Sequence, residues 1–194
     1  MIKYLLTSFM LLWGFGLSAE ENEVEKDAVT AVTYVWEDEP DYVTSKKIFV
    51  EAFGTYYSQI PLEVLRQPSR EAMREWLENA FEEFYTGSDK NSLWLAAKIE
   101  NKMIGFLVVD VEKFPEQIYL QQLAVDPSYQ RRGVASSLIR GLFKEFRDCS
   151  HFVVVTRHAN EKAKKLYLSL GFSPASYMHE GYSPELYTGF EYFN

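Results

Sequence analysis

The sequence predicts one α/β (α+β) domain built on a mixed sheet, and three observations carry that prediction. Segments with strand and helix periodicity alternate from about Ala31 to the end of the chain. One strand, "HFVVVT" at 151–156, is a short unbroken apolar run, as expected where both faces of a strand are covered. Two others, "SLWLAAKI" and "MIGFLVVDV", are separated only by Glu100-Asn101-Lys102, the spacing of an antiparallel hairpin. Strand–helix–strand units call for locally parallel pairing, so both directions must coexist in one sheet.

The elements follow in order. "AVTYVW", Ala31 to Trp36, alternates as a first strand and ends at the turn-like "EDEP". Ile48, Phe49, Ala52, Phe53 and Tyr56 repeat at helical spacing, and after a break at Pro68 so do Met73, Trp76, Leu77, Ala80 and Phe84. The hairpin comes next, then "QIYLQQLAV", stopped by Asp126-Pro127. A helix from about Gly133 to Phe146 carries Val134, Leu138 and Leu142 on one stripe, with Ala135, Ile139 and Phe146 beside it. After "HFVVVT", a helix over about Asn160 to Leu170 stops at Gly171, and "ELYTGFEYF" forms a last strand. The predicted order is strand, helix, helix, three strands, helix, strand, helix, strand.

The chain has 194 residues, 47% of them hydrophobic, enough for a real core and unlike a disordered composition. A net charge of −8 argues against nucleic-acid binding. An acidic surface suits cationic substrates, and equally a domain that is merely soluble. The opening "MIKYLLTSFMLLWGFGLSAE" has a positive start, an apolar run too short for a comfortable membrane span, and a small-residue site at Leu17-Ser18-Ala19. It reads as a signal peptide over 1–19 followed by a charged linker over 20–30, giving a secreted or periplasmic protein. An uncleaved anchor or a buried N-terminal helix are the alternatives. Cys149 is the one cysteine, so no intrachain disulfide forms. A catalytic thiol is conceivable there, but its place between a helix and a strand fits packing better.

Two constellations carry chemistry. In "DPSYQRRGVASSL", Asp126 to Leu138, a helix starting at Gly133 offers unpaired N–H groups and a positive dipole end, and Arg131 and Arg132 add charges suited to phosphate. Gly133 clears space for close backbone approach, and Ala135 is nearly as small. No Gly-Lys-Ser/Thr follows and there is no three-glycine fingerprint, so the common nucleotide loops are excluded. Taken alone, an ordinary strand-to-helix turn with solvated arginines explains the stretch equally well. The second constellation is "RHANEKAKKLYLSLGF", Arg157 to Phe172, where Asn160 and Tyr167 lie seven residues apart and so share one helix edge.

Together, "LAVDPSYQRRGVASSLI" followed by N-x6-Y-x3-G-F resembles the GNAT superfamily of acetyl-CoA-dependent N-acetyltransferases. The family's Gln/Arg-x-x-Gly-x-Gly/Ala motif fits Gln130, Gly133 and Ala135, and the likeness covers 31–194, the expected N-acetyltransferase domain. It implies a mostly antiparallel sheet splayed at its centre and flanked by about four helices. Acetyl-CoA would lie where the strand ending at Asp126 parts from the strand ending at Thr156. Backbone groups of Leu123, Ala124 and Val125 would hold the pantetheine arm, with the N–H of Leu123 or Val125 polarising the thioester carbonyl. Gln130, Arg131, Arg132, Gly133, Val134, Ala135 and Ser136 would bind the pyrophosphate, and Asn160 the pantetheine. Tyr167 would act as general acid near the sulfur. No metal is implied.

The general base is open. Gln121, Gln122 and Tyr119 stand where many relatives carry acids; Glu116, His158 or an acid of the tail are candidates, and solvent is another. Tyr56, Tyr57, Trp76, Phe84, Tyr177, His179, Tyr182 and Tyr187 could wall the acceptor site. The acceptor is expected to be a primary amine of a small molecule or of a protein. Export conflicts with a cytosolic donor; delivery into another cell's cytosol, a membrane anchor with the domain inside, or a start codon set too far upstream would each resolve it. The rival from another class is a non-catalytic acetyl-CoA-binding or partner-binding module of the same fold.

Overall fold

In chain order the elements are β1 (Thr33–Glu37), α1 (Tyr42–Tyr57), α2 (Leu62–Leu65), α3 (Arg70–Gly87), β2 (Ser92–Ile99), β3 (Lys102–Asp110), β4 (Ile118–Val125), α4 (Val134–Glu145), β5 (His151–Arg157), α5 (Glu161–Ser169), β6 (Ser173–Pro174) and β7 (Tyr187–Phe193). A 3-10 turn at Pro127–Tyr129 joins β4 to α4. This computed structural model describes residues 31–38, 40–88, 90–176 and 181–194. The expected signal peptide and linker at 1–30 lie outside the described residues, as do Tyr177 and His179. Among the described residues, no helix is long and apolar enough to cross a membrane.

The strands form one seven-stranded sheet in the order β1-β2-β3-β4-β5-β7-β6, in which only β4 and β5 run parallel. Local parallel pairing was expected of each strand–helix–strand unit, and only β4–α4–β5 delivers it. The chain after α5 first lays down the two-residue β6, then returns so that β7 inserts antiparallel between β5 and β6. A long-range insertion of this kind leaves no periodic trace.

Two cores cover the two faces of the sheet. Leu138, Ile139 and Leu142 of α4 pack with Leu95, Leu107, Ile118, Leu120, Phe152 and Tyr167. Ile48, Phe49, Leu77 and Phe81 of α1 and α3 pack on the other face with Trp94, Ala96, Phe106, Val108 and Ala124. The central strands therefore alternate between two apolar environments, which is why they read as continuous apolar runs. The helices start where the sequence offers caps: Asp41 accepts from the Thr44 N–H at 2.7 Å, and Ser69 accepts from the Ala72 N–H at 3.1 Å.

One irregularity positions the site. Val108 of β3 pairs Gln122 while Val109 pairs Leu120, so Gln121 is an extra residue, a β-bulge in β4. Pairing of β4 with β5 covers Ile118↔Phe152, Tyr119↔Val153 and Leu120↔Val154. Beyond that point the two strands part.

Candidate active site: a cleft between two diverging strands

The divergence opens a cleft of about 530 Å³. Gln121 to Val125 of β4 line one side, and Val154 to Arg157 of β5 with Asn160, Ala163, Leu166 and Tyr167 line the other. Arg131, Gly133 and the first residues of α4 close one end. Tyr56, Tyr57, Trp76, Tyr182 and Tyr187 close the opposite end.

The backbone of β4 faces the opening in alternation. The Asp126 N–H donates to the Ile104 carbonyl at 2.9 Å, whereas the Val125 carbonyl accepts from the Gln130 side-chain amide at 3.0 Å. Val125 thus turns its N–H and C=O away from β3, and by the two-residue repeat of a strand so does Leu123. Ala124 turns its groups toward β3, so of the three residues expected to hold a ligand through the backbone, two present donors to the cleft. Gly105 lets β3 lie this close: a Cβ there would sit 2.9 Å from the Ala124 carbonyl oxygen.

At the α4 end, Gly133 adopts φ +83°, a left-handed conformation that suits glycine. This adds a second reason for the glycine beside close approach to a ligand. A Cβ at Gly133 would meet no protein atom within 4 Å, so within the chain itself conformation and not crowding selects glycine here. The first intrahelical bond is Ser137 N–H to the Gly133 carbonyl at 2.9 Å, and no side chain caps the helix. The N–H groups of Val134, Ala135 and Ser136 are therefore left for a ligand. Arg131, at φ +64°, lines the cleft. Arg132 does not; it is exposed, with its guanidinium 5.4 Å from the Tyr129 ring centroid. Gln130 lines the cleft, but its amide N–H is already given to Val125.

On the β5 side, Asn160 is the N-cap of α5 rather than its first turn, its Oδ1 accepting from the Ala163 N–H at 3.1 Å. Its amide N–H groups remain to face the cleft. Tyr167 is 5% exposed, packed against Phe172 and Phe190, and its hydroxyl has no hydrogen-bond partner among the described residues. Burial pushes this phenol well above the usual tyrosine range, so it keeps its proton at any physiological pH. Its ring belongs to the core while the residue also lines the cleft.

A match to a known family spans this machinery. A model of the Acetyltransferase (GNAT) family matches residues 48–172, well over half of the chain and from α1 through the end of α5. The chain belongs to the GNAT acetyltransferase family. GNAT proteins are acyltransferases that take acetyl groups from acetyl-CoA. N-acetylaspartate synthetase of Xenopus tropicalis is 30% identical over 94 residues, 47% of this chain and 34% of that protein. N-alpha-acetyltransferase 30 of Xenopus laevis is 29% identical over 85 residues, 41% of this chain and 31% of that one. The chain thus spans about a third of the length of these curated relatives. The PaiA N-acetyltransferase of Thermoplasma acidophilum, solved in complex with coenzyme A, superposes with a TM-score of 0.65 over 84% of this chain and 99% of that one, at 16% identity. At that identity the likeness is one of fold.

Measured against the GNAT expectations, the acceptor end departs most. Glu116 and His158 are exposed and outside the cleft; the His158 Nε2 sits 2.9 Å from the Pro184 carbonyl oxygen. No aspartate, glutamate or histidine lines the cleft among the described residues. Gln121 lies on the cleft wall, its Oε1 accepting from Ser92 at 3.3 Å, and Tyr119 donates its hydroxyl to the Tyr182 hydroxyl at 2.9 Å. Phe84 belongs to the core beside Trp94 and does not reach the cleft. Cys149 is 1% exposed on the far core, which excludes it from the chemistry.

One lining residue escaped the sequence reading. Arg157, at the end of "HFVVVTR", is 8% exposed, and its guanidinium lies 5.1 Å from the Trp76 ring centroid, 5.2 Å from Tyr187 and 5.6 Å from Tyr57. Those ring faces offset its desolvation by ~0.5–2 kcal/mol each. Its Nε is buried with no acceptor among the described residues. The signal was legible in principle: an arginine closing an unbroken apolar strand is buried with it.

Proposed function

We propose that the chain is an N-acetyltransferase that moves the acetyl group of acetyl-CoA to a primary amine by direct attack within a ternary complex. The observation that carries this reading is the parting of β4 and β5 beyond Leu120 and Val154, with unpaired N–H donors at two places along one cleft. The residues present fit the donor. The free N–H groups of Val134 to Ser136 and the cation of Arg131 suit a pyrophosphate. Leu123, Val125 and the Asn160 amide suit the amide groups of a pantetheine arm.

Bound there, acetyl-CoA would supply a thioester whose carbonyl carbon forms a C–N bond with the acceptor while its C–S bond breaks. The N–H of Leu123 or Val125 would stabilise the negative charge developing on the carbonyl oxygen. Tyr167 would give its proton to the departing sulfur, and the proton lost by the acceptor nitrogen restores the phenol through water. General acid catalysis of this kind contributes ~10²–10⁴-fold. Among the described residues the cleft holds no side chain suited to act as a base near neutrality, which favours an amine that reaches the site already deprotonated. The names of the two relatives differ in acceptor, so the acceptor of this chain is sought in its own cleft.

The test is titration of the purified chain with acetyl-CoA, followed by assay of CoA release against a panel of amines. Release on at least one amine supports the enzyme. Binding without release on any amine would instead favour a non-catalytic module of the same fold, and absence of binding would overturn the donor site itself.

A further inference from the structure

Resting on the acetyltransferase reading, we propose that Arg157 is the anion anchor of the acceptor subsite and that the acceptor is a primary amine carrying a carboxylate. Four observations converge on it. Arg157 is more than nine-tenths buried, lines the cleft, and takes part in none of the ion pairs of the described residues. Among the described residues its buried Nε–H has no acceptor, so at least this donor of the guanidinium is left for a ligand. Trp76, Tyr187 and Tyr57 surround the guanidinium with ring centroids 5.1, 5.2 and 5.6 Å from its carbon, which holds the group in place. Finally, among the described residues the charged ones lining the cleft are Arg131, Lys162 and Arg157, all cations, in a chain whose net charge is −8.

That distribution runs against a polyamine. A substrate bearing several ammonium groups would meet only like charge in the cleft, which costs affinity. A carboxylate-bearing amine would meet a desolvated, pre-oriented guanidinium, whose fork matches a carboxylate through two parallel hydrogen bonds. Tyr56 and Lys162, the latter 5.5 Å from the Tyr56 ring centroid, line the same cleft. The carboxylate could belong to a free amino acid or to an acidic side chain at the start of a peptide. The chemistry at Arg157 is the same, and the two sources are separable.

The experiment compares free amino acids, their carboxamides, the corresponding decarboxylated amines, and short peptides opening with aspartate or with alanine. CoA release gives kcat and KM; calorimetric titration of the N-acetylated acids and N-acetylated amides gives binding that needs no turnover. The wild-type chain should prefer acids over their amides by about 10–100-fold in kcat/KM, and N-acetylated acids should bind more tightly by a similar factor. Arg157→Gln should abolish that preference, chiefly through KM, while leaving acetyl-CoA affinity within about twofold. Arg157→Lys should restore only part of it, because a lysine lacks the planar fork. Equal use and equal binding of acid and amide by the wild-type chain would overturn the anchor, whatever the variants do. So would an Arg157→Gln chain that binds acetyl-CoA normally yet retains the preference. Failure of every amine to release CoA would count against the acetyltransferase reading, while the calorimetric comparison still decides the anchor. Preference for aspartate-initiated peptides over free amino acids would assign the carboxylate to a polypeptide.

Discussion

The side-chain amide of Gln130 donates to the carbonyl of Val125 across 3.0 Å, tying the loop before α4 to the last residue of β4. The contact joins two parts of the site that are expected to grip different portions of one ligand. Gln130→Ala should loosen their relative placement for a loss of about 1 kcal/mol, read as a roughly fivefold weaker acetyl-CoA Kd by calorimetry. Gln130→Glu, which faces a carbonyl with an acceptor, should be worse than alanine. An unchanged Kd in both variants would remove Gln130 from the site.

Tyr167 offers a clean separation of binding from chemistry. Its hydroxyl makes no protein hydrogen bond among the described residues, so Tyr167→Phe should fold normally and bind acetyl-CoA with unaltered affinity. Turnover should fall ~10²-fold or more. Turnover equal to wild type would take the acid role away from it.

The pH profile should carry no enzyme base. With no carboxylate or imidazole lining the cleft among the described residues, log kcat/KM should rise with unit slope up to the acceptor's own pKa, ~7.7–8.0 for a peptide α-amine and ~10.4 for a lysine-like amine. The inflection should move when the amine is changed. Because burial raises the Tyr167 phenol, loss of the acid form should depress the rate only on the alkaline side of the ordinary tyrosine value of ~10. An inflection near pH 6–7 shared by amines of different basicity would reveal a base.

Two glycines should fail for different reasons. Gly105→Ala puts a Cβ against the Ala124 carbonyl and must displace β4, at ~1–3 kcal/mol in denaturant midpoint. Gly133 has open space but φ +83°, so the loss there should follow conformational tolerance: valine worst, alanine ~1–2 kcal/mol, asparagine least. Equal losses for valine and asparagine at 133 would contradict the conformational account.

Cys149 provides a control. Burial pushes its thiol above the usual range, and it lies in the core with Ile118 and Phe152 without lining the cleft. Thiol-directed alkylation of the folded chain should be slow, and Cys149→Ser should leave turnover unchanged in a CoA-release assay.

Much of this architecture was legible from local pattern. The α4 stripe of Val134, Leu138 and Leu142, the hairpin around Glu100 to Lys102 and the buried run at 151–156 each stand where periodicity put them. What escaped has no local period. The bulge at Gln121 looks like ordinary alternation in "YLQQLAV", since the extra residue is defined only by its pairing with β3. The antiparallel return of β7 depends on where the segment after α5 travels, and the two-residue β6 is too short for any pattern. At the site, the donor end was readable because glycine, helix start and Asn160 to Tyr167 spacing are short-range. The acceptor end was not: Arg157 gains its meaning from Tyr57, Trp76 and Tyr187, which come from three other parts of the chain.

The single supernumerary residue in β4 has a consequence for how this site can change. Ile118 and Leu120 before it, and Leu123 and Val125 after it, all serve the core beneath α4, while Ala124 serves the opposite one. Uninterrupted alternation would have put Leu120, Gln122 and Ala124 on one side and sent Leu123 and Val125 to the other. Without Gln121, Leu120 would run straight on to Gln122, and Leu123 and Val125 would keep both their face and their partners on β3; what would be lost is the bulge itself, with the local bend and twist it gives the strand. The extra residue is thus carried at no expense to the packing of β4, and it acts on the course of the strand at the point where pairing with β5 ends.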